Sequence, residues 1–171
     1  LFMDNEKENI TLASKKNAKF SIKMAAVIFI IISCCAFLLY LSIGAFLIQE
    51  LDLLTFNLPW AVSGAKDGLF SIYLLEEPGV DYPPIFPTLL SVFGVPLIYF
   101  YSIGIWPVIM LLLKFWPIFF FVLLAVVIFF LLRKESLILA ILGGTLWLVN
   151  PTAAVNCVWW GQADCLFCFF L

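Results

Sequence analysis

From Met24 to Gln49 the chain runs for 26 residues without a charged side chain. As a helix this stretch rises about 39 Å at 1.5 Å per residue, more than the roughly 30 Å of hydrocarbon in a bilayer. A segment of that length leaves two options, a membrane span or a cleaved signal peptide. The apolar region of a signal peptide runs only about 7–15 residues and ends at small residues, so the span is the better fit. The rest of the chain belongs to the same class, with 65% hydrophobic residues, 12% charged ones and a mean hydropathy of +1.15. A soluble domain could not solvate such a surface, and the expectation is an all-α, polytopic transmembrane protein. Nine Lys and Arg against eleven Asp and Glu leave a net charge of −2. That balance gives no basic field for nucleic acid, which is excluded as a partner.

The flanks of the apolar runs set the organisation. Residues 1–23 are polar, with Asp4, Glu6 and Glu8 followed by Lys15, Lys16, Lys19 and Lys23, and read as a flexible tail meeting anionic headgroups. Spans are expected over about 24–49, 107–132 and 136–150, with another begun at 165–171, and residues 50–106 form an outer loop and interfacial segment. Leu1 in place of Met, and an apolar run of only about seven residues at 165–171, predict the N-terminal piece of a longer chain. Residues 82–113 also lack charge, but Pro83, Pro84, Pro87, Pro96 and Pro107 interrupt helical hydrogen bonding there. Lys and Arg near span ends favour the cytoplasm, so Lys15–Lys23 and Arg133-Lys134 belong on the same, inner side. An even number of crossings must therefore lie between them. That predicts a re-entrant or interface-lying segment over 82–105 and places Asp52, Asp81 and Asp164 together on the outer face.

Carboxylates at a membrane surface are costly unless hydrogen-bonded, paired or used, so these acids are the informative groups. Asp52 follows the first span in Glu50-Leu-Asp-Leu-Leu-Thr-Phe-Asn-Leu-Pro-Trp60, where it serves either as a fixed general base or as a solvated cap. Asp81-Tyr82-Pro83-Pro84 is a rigid elbow that either orients Asp81 and Tyr82 or merely turns the chain. In the segment from Asn150-Pro151 through Asn156 to Trp159-Trp160-Gly161-Gln162-Ala163-Asp164, the polar groups are either ligand contacts or helix terminators. Six tryptophans lie mostly near span ends, as interfacial indoles do. The five cysteines form no disulfide framework, and Cys165-x-x-Cys168, with no His in the chain and no second pair, reads as packed or lipid-facing thiols rather than a metal site.

Taken together, Asp52 with Thr55, Phe56 and Trp60, the Asp81-Tyr82-Pro83-Pro84 elbow, and Asn150-Pro151 with Asn156 and Trp160-Gly161-Gln162-x-Asp164 resemble the GT-C superfamily of membrane glycosyltransferases. The likeness covers about residues 24–171 and is greatest to the bacterial relatives of the mannosyltransferases of GPI-anchor assembly. It implies a hexose, by analogy mannose, carried on a polyprenyl phosphate. It further implies an acceptor hydroxyl of a glycan, lipid or protein on the outer face of a bacterial cell membrane, while the Lys15–Lys23 cluster predicts a cytoplasmic N-terminus. Asp52 matches the base that deprotonates the acceptor, while Asp81, Tyr82, Trp160, Gln162 and Asp164 would bind substrate. Lys114 is placed either to meet the charge developing on the leaving phosphate or to snorkel to the interface. No cofactor is expected, and nothing in the sequence supports a divalent metal. Two other classes compete. A transporter with broken helices would carry polar groups at mid-membrane, which the spans lack apart from Lys114, and a non-catalytic scaffold would leave the outer acids incidental.

Overall fold

The computed structural model describes residues 2–48, 52–75, 80 and 82–170, with side chains from residue 22 onward except Leu69. Among these residues the chain is helical throughout, with no strand. Helix α1 is Phe2–Phe46. After it come a π-helical turn at Leu53–Asn57, α2 (Leu58–Asp67), a 3-10 helix at Leu69–Leu74, α3 (Ile85–Ser91) and α4 (Gly94–Ser102). The long α5 (Trp106–Leu132) is followed by α6 (Leu137–Leu148), the short α7 (Pro151–Ala154), a second π-helical turn at Val155–Trp160, and α8 (Asp164–Phe170).

Two of these helices, Ile22–Phe46 within α1 and α5, are continuous, long and apolar enough to cross a bilayer. The number rises to four if each of two bent pairs is a span: α3 with α4, bent by 54°, and α6 with Pro151–Trp160, bent by 45°. The chain is thus an all-helical protein of the membrane class. Its lipid-facing surface is apolar, with Ile28, Ile31, Ile32, Leu38 and Leu39 of α1 exposed.

Two expectations need correction. The polar stretch before Lys23 is helical from Phe2 onward rather than irregular. Residues 2–23 contain neither Gly nor Pro and carry five Lys, two Glu and two Ala, all good helix formers, so polarity there reports distance from hydrocarbon and not lack of structure. The expected span at 136–150 is a helix of only 12 residues, about 18 Å long, and it reaches further only by bending at Asn150-Pro151 into the next turns. Pro117, by contrast, lies inside α5 without ending it.

Helices α1 and α5 run antiparallel. Phe29 stacks on Phe129 with ring centroids 4.5 Å apart, Phe37 meets Phe115 and Phe119, and Tyr40 meets Phe121. The ends of α1 and α5 nearest Lys23 and Arg133 are therefore on the same side, and whatever joins Phe46 to Trp106 leaves and returns at the opposite end. Helix α6 folds back along α5. A Cβ on Gly144 would lie 2.3 Å from Phe29 Cζ, and one on Gly143 would lie 2.5 Å from Leu132 Cδ1, so the close approach depends on both glycines. Trp147 Nε1 donates to Phe121 O at 2.8 Å, and Tyr40 OH donates to Leu148 O at 2.6 Å, tying the three helices together.

At the far end α2, α3 and α4 pack around the first turns of α5. Gly94 lets α4 reach α2, since a Cβ there would sit 2.2 Å from Ala61 O. Trp116 Nε1 donates to Leu89 O at 2.7 Å and fastens α3 to α5.

Candidate functional site

Where α1 ends, four backbone carbonyls have no partner within the helix. The Lys114 side chain, fully buried, supplies donors to two carbonyls of this end: Nζ donates to Gly44 O at 3.1 Å and also to Leu47 O. The carbonyl end of a helix carries partial negative charge, so an ammonium group is well placed there. Lys114 therefore fills neither role expected of it. Without solvent exposure it does not snorkel, and it has no surface to offer a phosphate.

This pin fixes the floor on which the candidate site stands. Asp52 opens the π-helical turn directly after α1, and Gln162 follows the second such turn. Between that turn and Gln162 stands Gly161 with φ +68°, a left-handed backbone conformation that favours glycine. Its neighbours impose a second demand: a Cβ on Gly161 would lie 2.7 Å from Leu53 Cδ2 and 3.3 Å from Lys114 Cγ. The Gly161 turn can thus rest against the Asp52 turn only because it has no side chain. It is also closed by Gln162 N donating to Asn156 O at 3.0 Å.

Three distant segments then meet through one amide. Gln162 Nε2 donates to Asp52 Oδ2 at 2.9 Å, while Gln162 Oε1 accepts from Tyr82 OH at 2.5 Å. A carboxylate can only accept, so with the acid ionised the nitrogen of the amide faces Asp52 and its oxygen is left for the phenol. Asp52, Tyr82 and Gln162 line a cavity of about 280 Å³ together with Phe56, Asn57, Trp60, Phe86 and Gly161. That is near the lower end of the roughly 300–1,000 Å³ typical of small-molecule sites. Aromatic rings form its wall, where Trp60 meets Tyr82 edge to face at 5.9 Å and Tyr82 meets Phe86 at 5.4 Å; outside the lining, Phe167 of α8 stacks on Tyr82 at 5.8 Å.

The six site residues anticipated from the sequence divide in space. Asp52, Tyr82 and Gln162 come together. Trp160 does not join them, because it is half exposed and borders a separate groove with Pro151, Thr152, Val155 and Asn156. Asp164 is exposed and accepts from Asn156 Nδ2 at 2.5 Å, outside the Asp52 cavity. Asp81 lies outside the described residues. The two readings of the amides also separate: Asn150 is a helix cap, its Oδ1 accepting from Thr152 N and Ala153 N, whereas Gln162 is a bridge. Asn57, Phe86 and Gly161 were not anticipated as lining residues. Of these Gly161 was noted only within the Trp160-Gly161-Gln162-x-Asp164 pattern, Asn57 is legible as an amide in the apolar stretch following Asp52, and Phe86 left no trace.

Among the described residues no group of three or more His, Cys, Asp or Glu side chains is arranged to hold a metal ion. No protein-family model matches the chain, and neither does any curated protein or solved structure.

Proposed function

We propose that the chain carries the acceptor-activating part of a membrane glycosyltransferase that moves a hexose, with mannose the expected sugar, from a polyprenyl-phosphate donor to an acceptor hydroxyl. One observation carries the reading: among the described residues Asp52 is the one carboxylate lining a cavity whose other walls are rings, amides and Gly161, its orientation held by Gln162. Sugars present apolar C–H faces to rings and hydroxyls to amides and acids, and both kinds of partner line this cavity.

In the proposed step Asp52 takes the proton of the acceptor hydroxyl. The oxygen attacks the anomeric carbon from the face opposite the phosphate, the C–O bond to the polyprenyl phosphate breaks, and the phosphate leaves with the electron pair. The sugar inverts. Gln162 keeps Asp52 in place, and Trp60 and Tyr82 shape the space for the sugar ring. The negative charge on the departing phosphate is met by groups other than Lys114, which is committed to α1. With Lys15–Lys23 and Arg133-Lys134 toward the cytoplasm, this chemistry occurs on the outer face of a bacterial cell membrane.

The test is transfer from a lipid-linked sugar by the full-length protein. Asp52→Asn keeps the size and cannot accept the proton, so turnover should fall by a factor on the order of 10² to 10⁴ with donor binding little changed. Glu50→Gln and Asp67→Asn serve as controls. A rate for Asp52→Asn close to that of the unmodified protein overturns the assignment of the base.

A further inference from the structure

Two of the five cysteines, far from each other's notice in the sequence pattern, face one another in the structure. Cys157 lies in the second π-helical turn and Cys165 in the first turn of α8; both are buried, and their sulfurs are 2.9 Å apart. That separation is nearer than two unbonded sulfurs rest and only about 0.9 Å from the ~2.05 Å of a disulfide. The residues between them include Gly161 and Gln162, the turn that holds Asp52 and Tyr82. The other near spacing, Cys165 to Cys168, has no such contact: Cys168 is exposed.

We propose that Cys157 and Cys165 are a disulfide site, closed by exchange with a small-molecule or protein disulfide as the chain assembles, and that the bond staples the Gln162 turn. The exchange balances without further reagents. One thiolate attacks the incoming disulfide and releases one of its halves as a thiol; the second cysteine then attacks the mixed disulfide and releases the other half. Two electrons and two protons pass to the incoming disulfide, which ends as two thiols. The small loop between the cysteines lowers the entropy of the open turn, so the bond favours the conformation in which Gln162 reaches Asp52. The pair closes a turn regardless of what the cavity binds, and its test needs no transfer activity.

The full chain, with Cys34, Cys35 and Cys168 replaced by Ala, is synthesised cell-free into lipid nanodiscs in a buffer of reduced and oxidised glutathione, so that exchange precedes burial. After acid quenching and denaturation, intact mass and alkylation should show Cys157 and Cys165 bridged, with neither glutathione adducts nor reactive thiols until a reductant is added. In the same background Cys165→Ser cannot bridge, and its Cys157 should be recovered as a thiol or as a glutathione adduct. Recovery of both native cysteines as thiols, or as two glutathione adducts, in the oxidised buffer would overturn the proposal.

Discussion

Along the packed length of α1, α5 and α6, the three helices meet through rings and glycines, and the polar side chains that help, Tyr40 and Trp147, direct their hydrogen bonds at backbone carbonyls. Toward the Asp52 end, besides bonds to backbone such as Trp116 Nε1 to Leu89 O, polar side chains also bond to one another: Tyr82 to Gln162, Gln162 to Asp52, and Asn156 to Asp164. Most side-chain hydrogen bonds in proteins end on backbone or water, so this concentration at one end is informative. A bond to a helix carbonyl is fixed by the fold and has little else to do. A bond between two side chains can be exchanged for a bond to a ligand. The bundle therefore uses its polar groups for stability, and the cavity holds its own ready for exchange. Lys114 stands at the boundary, its side chain committed to backbone carbonyls where α1 ends rather than to the cavity above them.

Beyond the loss of turnover expected for Asp52→Asn, the strongest way to break this comparison is Lys114→Met. It keeps the apolar stem but removes the ammonium that donates to Gly44 O and Leu47 O, Gly44 O keeping its bond from Leu47 N, and hydrogen bonds to charged groups contribute about 1.5–3 kcal/mol each. Thermal unfolding in nanodiscs should show a clear loss of stability, and transfer should fall with it because the floor beneath Asp52 shifts. Unchanged stability would mean that Lys114 belongs to the functional end after all. Gly144→Val comes next. Its side chain meets Phe29, and overpacking should cost about 1–3 kcal/mol of stability while the surviving folded protein transfers at an unaltered rate.

Smaller still is Gln162→Leu, which removes the bridge and leaves the bundle intact. A loss of about 1 kcal/mol in positioning corresponds to a roughly five- to tenfold fall in transfer, with the unfolding temperature unmoved. Tyr82→Phe should cost less, since the amide keeps its bond to Asp52. The reverse pattern, unfolding without a specific effect on rate, would assign Gln162 to the structural end. With no change in energy at all, single-cysteine probes on an otherwise cysteine-free chain sharpen the geometry. Lys66 and Glu135 are both exposed, and the former should label from outside and the latter only after permeabilisation.

The two ends also differ in how far the sequence reveals them. The continuous spans were readable because charge stops at Met24 and Trp106–Leu132 carries only Lys114, and the same charges predicted that Lys23 and Arg133 share a side, as the antiparallel α1 and α5 require. At the cavity, Asp52, Tyr82 and Gln162 stood out as polar residues in apolar surroundings, and they do meet. What the sequence hides is direction. Trp160 and Gln162 are two residues apart, yet a left-handed Gly161 turns one away from the cavity and the other into it. The same turn prevented Cys157 and Cys165 from being paired by spacing, because a π-helical turn has no fixed register with the helix that follows. Lys114 was misjudged because composition reports a charge in an apolar run and not the carbonyls it will find.

The position of those carbonyls bears on how the chain is made. A lysine in an apolar helix opposes insertion, at about 2.5–3.5 kcal/mol near the centre on scales measured at the translocon. Synthesis runs from the N-terminus, so the end of α1, with Gly44 O and Leu47 O, is already in place when the ribosome delivers Lys114. The first helix thus acts as an internal chaperone for the fifth, receiving its charge as it arrives, and the cavity above them can close only when the segment bearing Gln162 has followed.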